Sequence, residues 1–273
     1  TIRVLFLFTL YIYILVGIVQ VGNKDFLSFL LSRDLNVEGI MQSGRGVRSL
    51  FSEPSVFSRY LAKSSFILLF LYPNRTKIKL IGFILLLVNI FLTRSAYGIA
   101  IHLLVLLLMY GITSYLVVAT FLLSLYLAST SDQNRLMFIY HSLLENPQAI
   151  LKQGAMIRVL NVPISLIGLK EYWLLGSEYM FKGYGTRSLM LPFGEFKFLL
   201  ANRNVGGLFE LPWRFGLIGF FILLNFARKI GQAYYKLPKN YFVVILLFYL
   251  QDGSILDPFT HLALFLPLVT NKL

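Results

Sequence analysis

YGIAIHLLVLLLMYGITSYLVVATFLLSLYLAS, residues 97–129, decides the fold class, because it runs for thirty-three residues without a formal charge. As one continuous helix it would measure about 50 Å, against a hydrocarbon core of about 30 Å. That is too long for a single crossing. Gly111 to Ser114 in its middle offers a turn, so the stretch is expected to cross twice, as two short spans.

The rest of the 273-residue chain agrees: 57% of it is hydrophobic, 16% aromatic and only 14% charged, and its mean hydropathy is +0.73. Those values describe an integral membrane protein and exclude soluble, disordered and fibrous classes. Twenty-five Lys and Arg against twelve Asp and Glu give a net charge of +13. In such a chain a basic excess points to loops beside an anionic cytoplasmic leaflet before it points to nucleic acid. The absence of cysteine removes disulfides, thiolate metal sites and a cysteine nucleophile. Thr1 opens directly onto an apolar run, and a further N-terminal part is expected to precede it.

Working outward, further apolar runs of span length are Ile2 to Val21, Ser55 to Tyr72, Ile78 to Thr93 and Trp213 to Ala227, with two short helices at Tyr241 to Gln251 and Phe259 to Thr270. The expected fold is therefore all-α, a polytopic helical membrane protein of about seven transmembrane helices. Residues 1–129 hold the first spans and an outer loop at 22–54, 130–212 form a large extracytoplasmic loop, and 213–273 hold the C-terminal spans. Leu136 to Leu144 have apolar residues at helical spacing and are expected to lie on the membrane surface.

Charge tests this topology. Arg75, Lys77 and Lys79 mark one linker, Arg228, Lys229, Lys236 and Lys239 another, and neither contains an acidic residue. Both belong inside by the positive-inside rule, and only two crossings by residues 97–129 put them on the same side. The loops 22–54 and 130–212 then share the opposite, non-cytoplasmic face.

Phosphate loops, nucleophile elbows and metal-spaced histidine or carboxylate clusters are missing from the sequence. His102 reads as a packed histidine satisfied by a neighbour. Arginines carry more information, since a guanidinium placed in or near hydrocarbon costs at least a few kcal/mol and needs a partner. Arg48 with Glu53, Arg94, Arg59 with Lys63 one turn later, and Arg158 all fall on the outer side of the expected topology. A permanently charged planar fork suits phosphate oxygens. Against that stands snorkelling to headgroups or pairing with loop carboxylates, for Arg59 and Lys63 above all.

At these strings the chain resembles the O-antigen polymerase and O-antigen ligase superfamily, polytopic transferases of lipid-linked glycans with a GT-C-type fold. RSLFSEPS, residues 48–55, is similar to the superfamily's Arg-x-Leu-Phe-x-Glu-Pro segment. LTRSAYG, residues 92–98, is similar to its Leu-Thr-x-Ser-Arg-x-Gly element, with the arginine here before the serine. Arg158 precedes Gly183-Tyr184-Gly185 as an arginine precedes a Gly-x-Gly turn in the superfamily's large outer loop, and FGLIGF, residues 215–220, resembles the start of the following span. The place of the ligases' His-Asn pair is taken by Arg203-Asn204.

The resemblance implies a polymerase that moves a growing glycan from undecaprenyl diphosphate to the terminal sugar of a lipid-linked repeat unit. It implies a bacterial inner membrane location with the site facing the periplasm or exterior, and lipid-linked oligosaccharides as partners beside membrane lipids and a chain-length regulator. Neither cofactor nor metal is implied. Arg48, Arg94 and Arg158 would hold the diphosphate, with Arg187, Arg59 and Lys63 as further binding residues and Gly183 and Gly185 shaping the loop. Glu53 would serve either as base for the acceptor hydroxyl or as the ion-pair partner of Arg48. Tyr97 would stack on sugar or sit at the interface. The competing classes are a ligase, a transporter or flippase for an anionic lipid, and a scaffold subunit of an export system.

Overall fold

The computed structural model describes residues 2–23, 26–27, 46–51, 53–72, 75–111, 173–176, 186–191, 194–199, 210–235, 239–251 and 258–270. The chain forms two compact units, Thr1–Tyr140 and His141–Leu273.

The first unit holds four described helices: α1 (Ile2–Gly22), α2 (Pro54–Leu71), α3 (Arg75–Thr93) and α4 (Ala96–Tyr110). Their ends follow from local chemistry. Pro54 opens α2 where a backbone N–H would have no acceptor, behind an extended Glu53 at the N-cap. Tyr72 closes it in an extended conformation, as a residue before proline prefers. The Ser95 hydroxyl accepts from the Gly98 amide at 3.4 Å and caps α4. Gly111, at φ 77°, stops α4 while its amide still reaches Leu107 O at 2.8 Å. The uncharged 33-residue stretch is thus broken at the expected glycine; its second half lies outside the described residues.

Helix α2 packs against both α3 and α4, and α3 also packs on α4 and α1. Every residue of α2 from Phe57 to Leu68 is buried, which makes it the central helix of its unit. By contrast α1 leaves Val4, Leu5, Phe8, Tyr11 and Ile18 exposed. Among the described residues, two helices are long and apolar enough to cross a membrane, at Arg3–Gly22 and Thr76–Thr93. The other described helices expected as spans are shorter or carry charge: α4 has 15 residues, and α2 contains Arg59 and Lys63.

The second unit contains a hairpin and three described helices. β1 (Thr186–Leu191) pairs antiparallel with β2 (Gly194–Leu199) in a register that sets Arg187 opposite Phe198. This two-stranded element departs from a purely helical chain. Six-residue strands on either side of Pro192-Phe193 are too short for periodicity to separate them from loop. Helix α5 (Glu210–Tyr234) is broken at Gly216, whose φ of 55° and ψ of −131° do not belong to a helix, and the turn at Leu174 to Gly176 packs into the break. Helices α6 (Lys239–Gln251) and α7 (Pro258–Thr270) are the short pair expected near the C-terminus. The Tyr234 hydroxyl donates to Leu264 O at 2.6 Å, and Tyr249 shares a hydrogen bond of 2.9 Å with His261 Nδ1.

Candidate cationic site in the first unit

The last carbonyls of any α-helix have no partner within it. At the end of α3 two of them are taken by residues 46–47: the Gly46 amide donates to Thr93 O at 3.1 Å and the Val47 amide to Leu92 O at 2.7 Å. This places Arg48, the first residue of RSLFSEPS, one residue beyond a backbone bond to the helix that Arg94 follows.

The loop is fixed from its other side by α1. Gln20, fully enclosed, accepts from the Ser49 amide at 2.8 Å and donates to Ser49 O at 3.0 Å and to Phe26 O at 3.0 Å. The Ser49 hydroxyl donates to Tyr13 O at 2.6 Å, and Ser49 itself adopts φ 55°, a left-handed conformation that persists only where its surroundings enforce it. Phe51 completes the lock: its ring centroid lies 4.9 Å from Tyr13, 5.1 Å from Tyr60 and 5.6 Å from Phe57.

So held, Arg48 is 7% exposed, and its Nη1 atom has no hydrogen-bond partner among the described residues. Arg59 is 9% exposed and Lys63 4%. They lie about 7 and 13 Å along α2 from Pro54 at 1.5 Å per residue, and the Arg59 Nε donates to Ser55 O at 3.3 Å. Against these three buried cations the described part of the unit offers one carboxylate, Glu53. Glu53 is half-buried, accepts from the Ser55 hydroxyl at 3.0 Å and forms no ion pair with Arg48 among the described residues. The carboxylate instead stays at the N-terminus of α2, where the helix dipole favours negative charge.

Arg94 follows the end of α3 at φ 48° and is exposed, while Tyr97 is half-buried in the first turn of α4. Arg48, Glu53, Arg94 and Tyr97 thus share one end of the helix group, with Arg59 and Lys63 extending inward along α2. Arg187 belongs to the second unit, on β1, and Arg158, Gly183 and Gly185 lie outside the described residues. A buried guanidinium with one nitrogen unpartnered among the described residues is chemically suited to an anion that brings oxygen acceptors.

Sequence reasoning passed over Gln20 and Asn89. Each is a lone amide in an apolar run, in VGIVQVG and LLLVNIFL, and that isolation was the available signal.

The chain matches no family model, no curated protein and no solved structure.

Proposed function

We propose that the chain is a glycan polymerase of the bacterial inner membrane, with about seven spans, that acts at the outer face on sugars linked to undecaprenyl diphosphate. The observation that carries this reading is Arg48, a buried guanidinium with a nitrogen unpartnered among the described residues, next to a backbone docking on the helix end that Arg94 follows. The resemblance of residues 48–55 and 92–98 to the polymerase and ligase superfamily supports it, since the two residues that precede the first string bond to the start of the second.

In this reaction the acceptor hydroxyl oxygen attacks the anomeric carbon of the growing chain. The bond from that carbon to the diphosphate breaks, and the lipid diphosphate leaves with the electron pair. Because a diphosphate departs with little proton assistance, the catalytic demand is for cations already in place where negative charge grows. Arg48 and Arg94 meet it. Glu53 takes the proton of the hydroxyl, a role left open to it because it does not neutralise Arg48. Arg59 and Lys63 bind phosphate or sugar oxygens, and Tyr97 offers an aromatic face to sugar. Arg203-Asn204, standing where ligases have His-Asn, favours polymerase over ligase.

The test is elongation by the purified chain in vesicles supplied with lipid-linked repeat units and no nucleotide sugar. A ladder of longer glycans is expected. Movement of the lipid-linked units across the bilayer with no gain in length would replace this reading by that of a transporter.

A further inference from the structure

Five polar side chains are buried where α2, α3 and α4 meet, and none belongs to the cationic group: Ser58, Ser65, Asn89, Thr93 and His102. Asn89 lies at their centre. Its Nδ2 donates to Ser58 O at 3.2 Å and to His102 Nδ1 at 3.1 Å, and its Oδ1 accepts from Ser58 Oγ at 2.6 Å and from Thr93 Oγ1 at 2.8 Å. With His102 Nδ1 accepting, the ring proton belongs on Nε2, which donates to Ser65 Oγ at 2.7 Å; the Ser65 hydroxyl in turn donates a hydrogen bond to Leu61 O at 3.2 Å. Donors and acceptors alternate without a gap, so the set offers a ligand nothing and is not itself a binding site.

What the network does reach is the anion site. Thr93 Oγ1, anchored to Asn89, accepts from the Ser95 amide at 3.3 Å. Thr93 and Ser95 flank Arg94, whose left-handed backbone is unfavourable for a non-glycine residue and must be imposed by its neighbours. The carbonyl of the same Thr93 receives the Gly46 amide and so seats the loop of Arg48. Between apolar helices in lipid, packing alone leaves rotation about the helix axis weakly specified, whereas directional hydrogen bonds fix it.

We propose that Asn89, with His102 and Thr93, is a positioning device for the anion site, setting the rotation of α3 against α2 and α4 and thereby the places of Arg94 and Arg48. This rests on reading the cationic cluster as an anion site. The device acts through other residues and touches no substrate.

Two variants separate positioning from simple stability. H102L leaves an Asn89 N–H without an acceptor and is expected to lower the melting temperature. N89L/H102L removes both partners of that bond but leaves Ser58 Oγ without its acceptor, so the melting temperature is expected to recover only in part. Its affinity for farnesyl diphosphate, measured in lipid nanodiscs, should nonetheless remain about tenfold or more below that of the native chain, since small misplacements of binding groups are costly. Recovery of native affinity would overturn the proposal. If the double variant does not fold, Thr93→Val serves in its place, removing only the links from Asn89 and Ser95; native affinity in that variant overturns the proposal equally. Failure of the anion reading is seen separately, as no binding of farnesyl diphosphate by the native chain. The positioning claim is then judged by the distance between spin labels at N23C and R94C, introduced into a chain without native cysteine. A distribution broadened by N89L/H102L supports it, and an unchanged one overturns it.

Discussion

Arg48→Met is expected to abolish glycan elongation while leaving the protein as stable as the native chain or more so. The two effects separate because of where the guanidinium sits. A cation taken out of water loses several kcal/mol of hydration, and only partners return it. Arg48 has a buried nitrogen with no partner among the described residues, so its charge is a burden on the fold in the absence of ligand. Methionine keeps much of the length and the apolar stem and removes the charge, which favours stability. On the proposed polymerase reading the same removal deletes a preorganised donor for the leaving group, an effect worth about 10²- to 10³-fold in rate by analogy with oxyanion-hole donors. The measurement is a pair: glycan length distribution and thermal unfolding of the same preparation. A variant that elongates normally removes Arg48 from the mechanism, and one that loses activity only by unfolding assigns Arg48 to structure.

Gly46→Ala should fail in the opposite way, losing stability and activity together. At Gly46 the chain crosses the end of α3 so closely that an added Cβ would overlap Leu92 O and the backbone of Thr93. Backbone atoms at a helix terminus cannot swing aside as a flexible side chain can. The loop must lift, breaking the bonds of Gly46 and Val47 to Thr93 O and Leu92 O and leaving groups orphaned at about 1–3 kcal/mol each. Arg48 would leave with the loop. A fall in melting temperature and loss of elongation are both expected. Full activity at native stability would show that the docking of residues 46–47 on α3 is not what holds the site.

Much of this arrangement was legible because charge is conspicuous in an apolar sequence. Arg48, Glu53 and Arg94 stood out as polar interruptions at the margins of runs, and those are the residues that the loop and the ends of α2 and α3 bring to one place. Gly111 was legible as a helix stop for the same reason, as a flexible residue in the middle of an unbroken run. The relation of Arg48 to Glu53 was not. Five residues apart in sequence, they read as a pair, but Pro54 starts α2 directly after Glu53 while Ser49 turns left-handed after Arg48, and the two are not joined. His102 was read as satisfied by a neighbour, and it is, on both ring nitrogens; that one neighbour would be Asn89, thirteen residues back on another helix, depends on a rotation about helix axes that periodicity does not report. The hairpin of β1 and β2 escaped because its strands are short and lie in a segment of mixed composition.

The enclosure of α2 by its neighbours has a consequence for biogenesis. A segment carrying Arg59 and Lys63 is a poor candidate to partition from the translocon by itself, since each cation near mid-helix opposes insertion by about 2.5–3.5 kcal/mol while each Leu, Ile or Phe returns only about 0.3–0.6. On the membrane reading, α1 and α3, the two helices long and apolar enough to cross, enter first, and α2 is expected to settle against α3 once that helix is in the lipid.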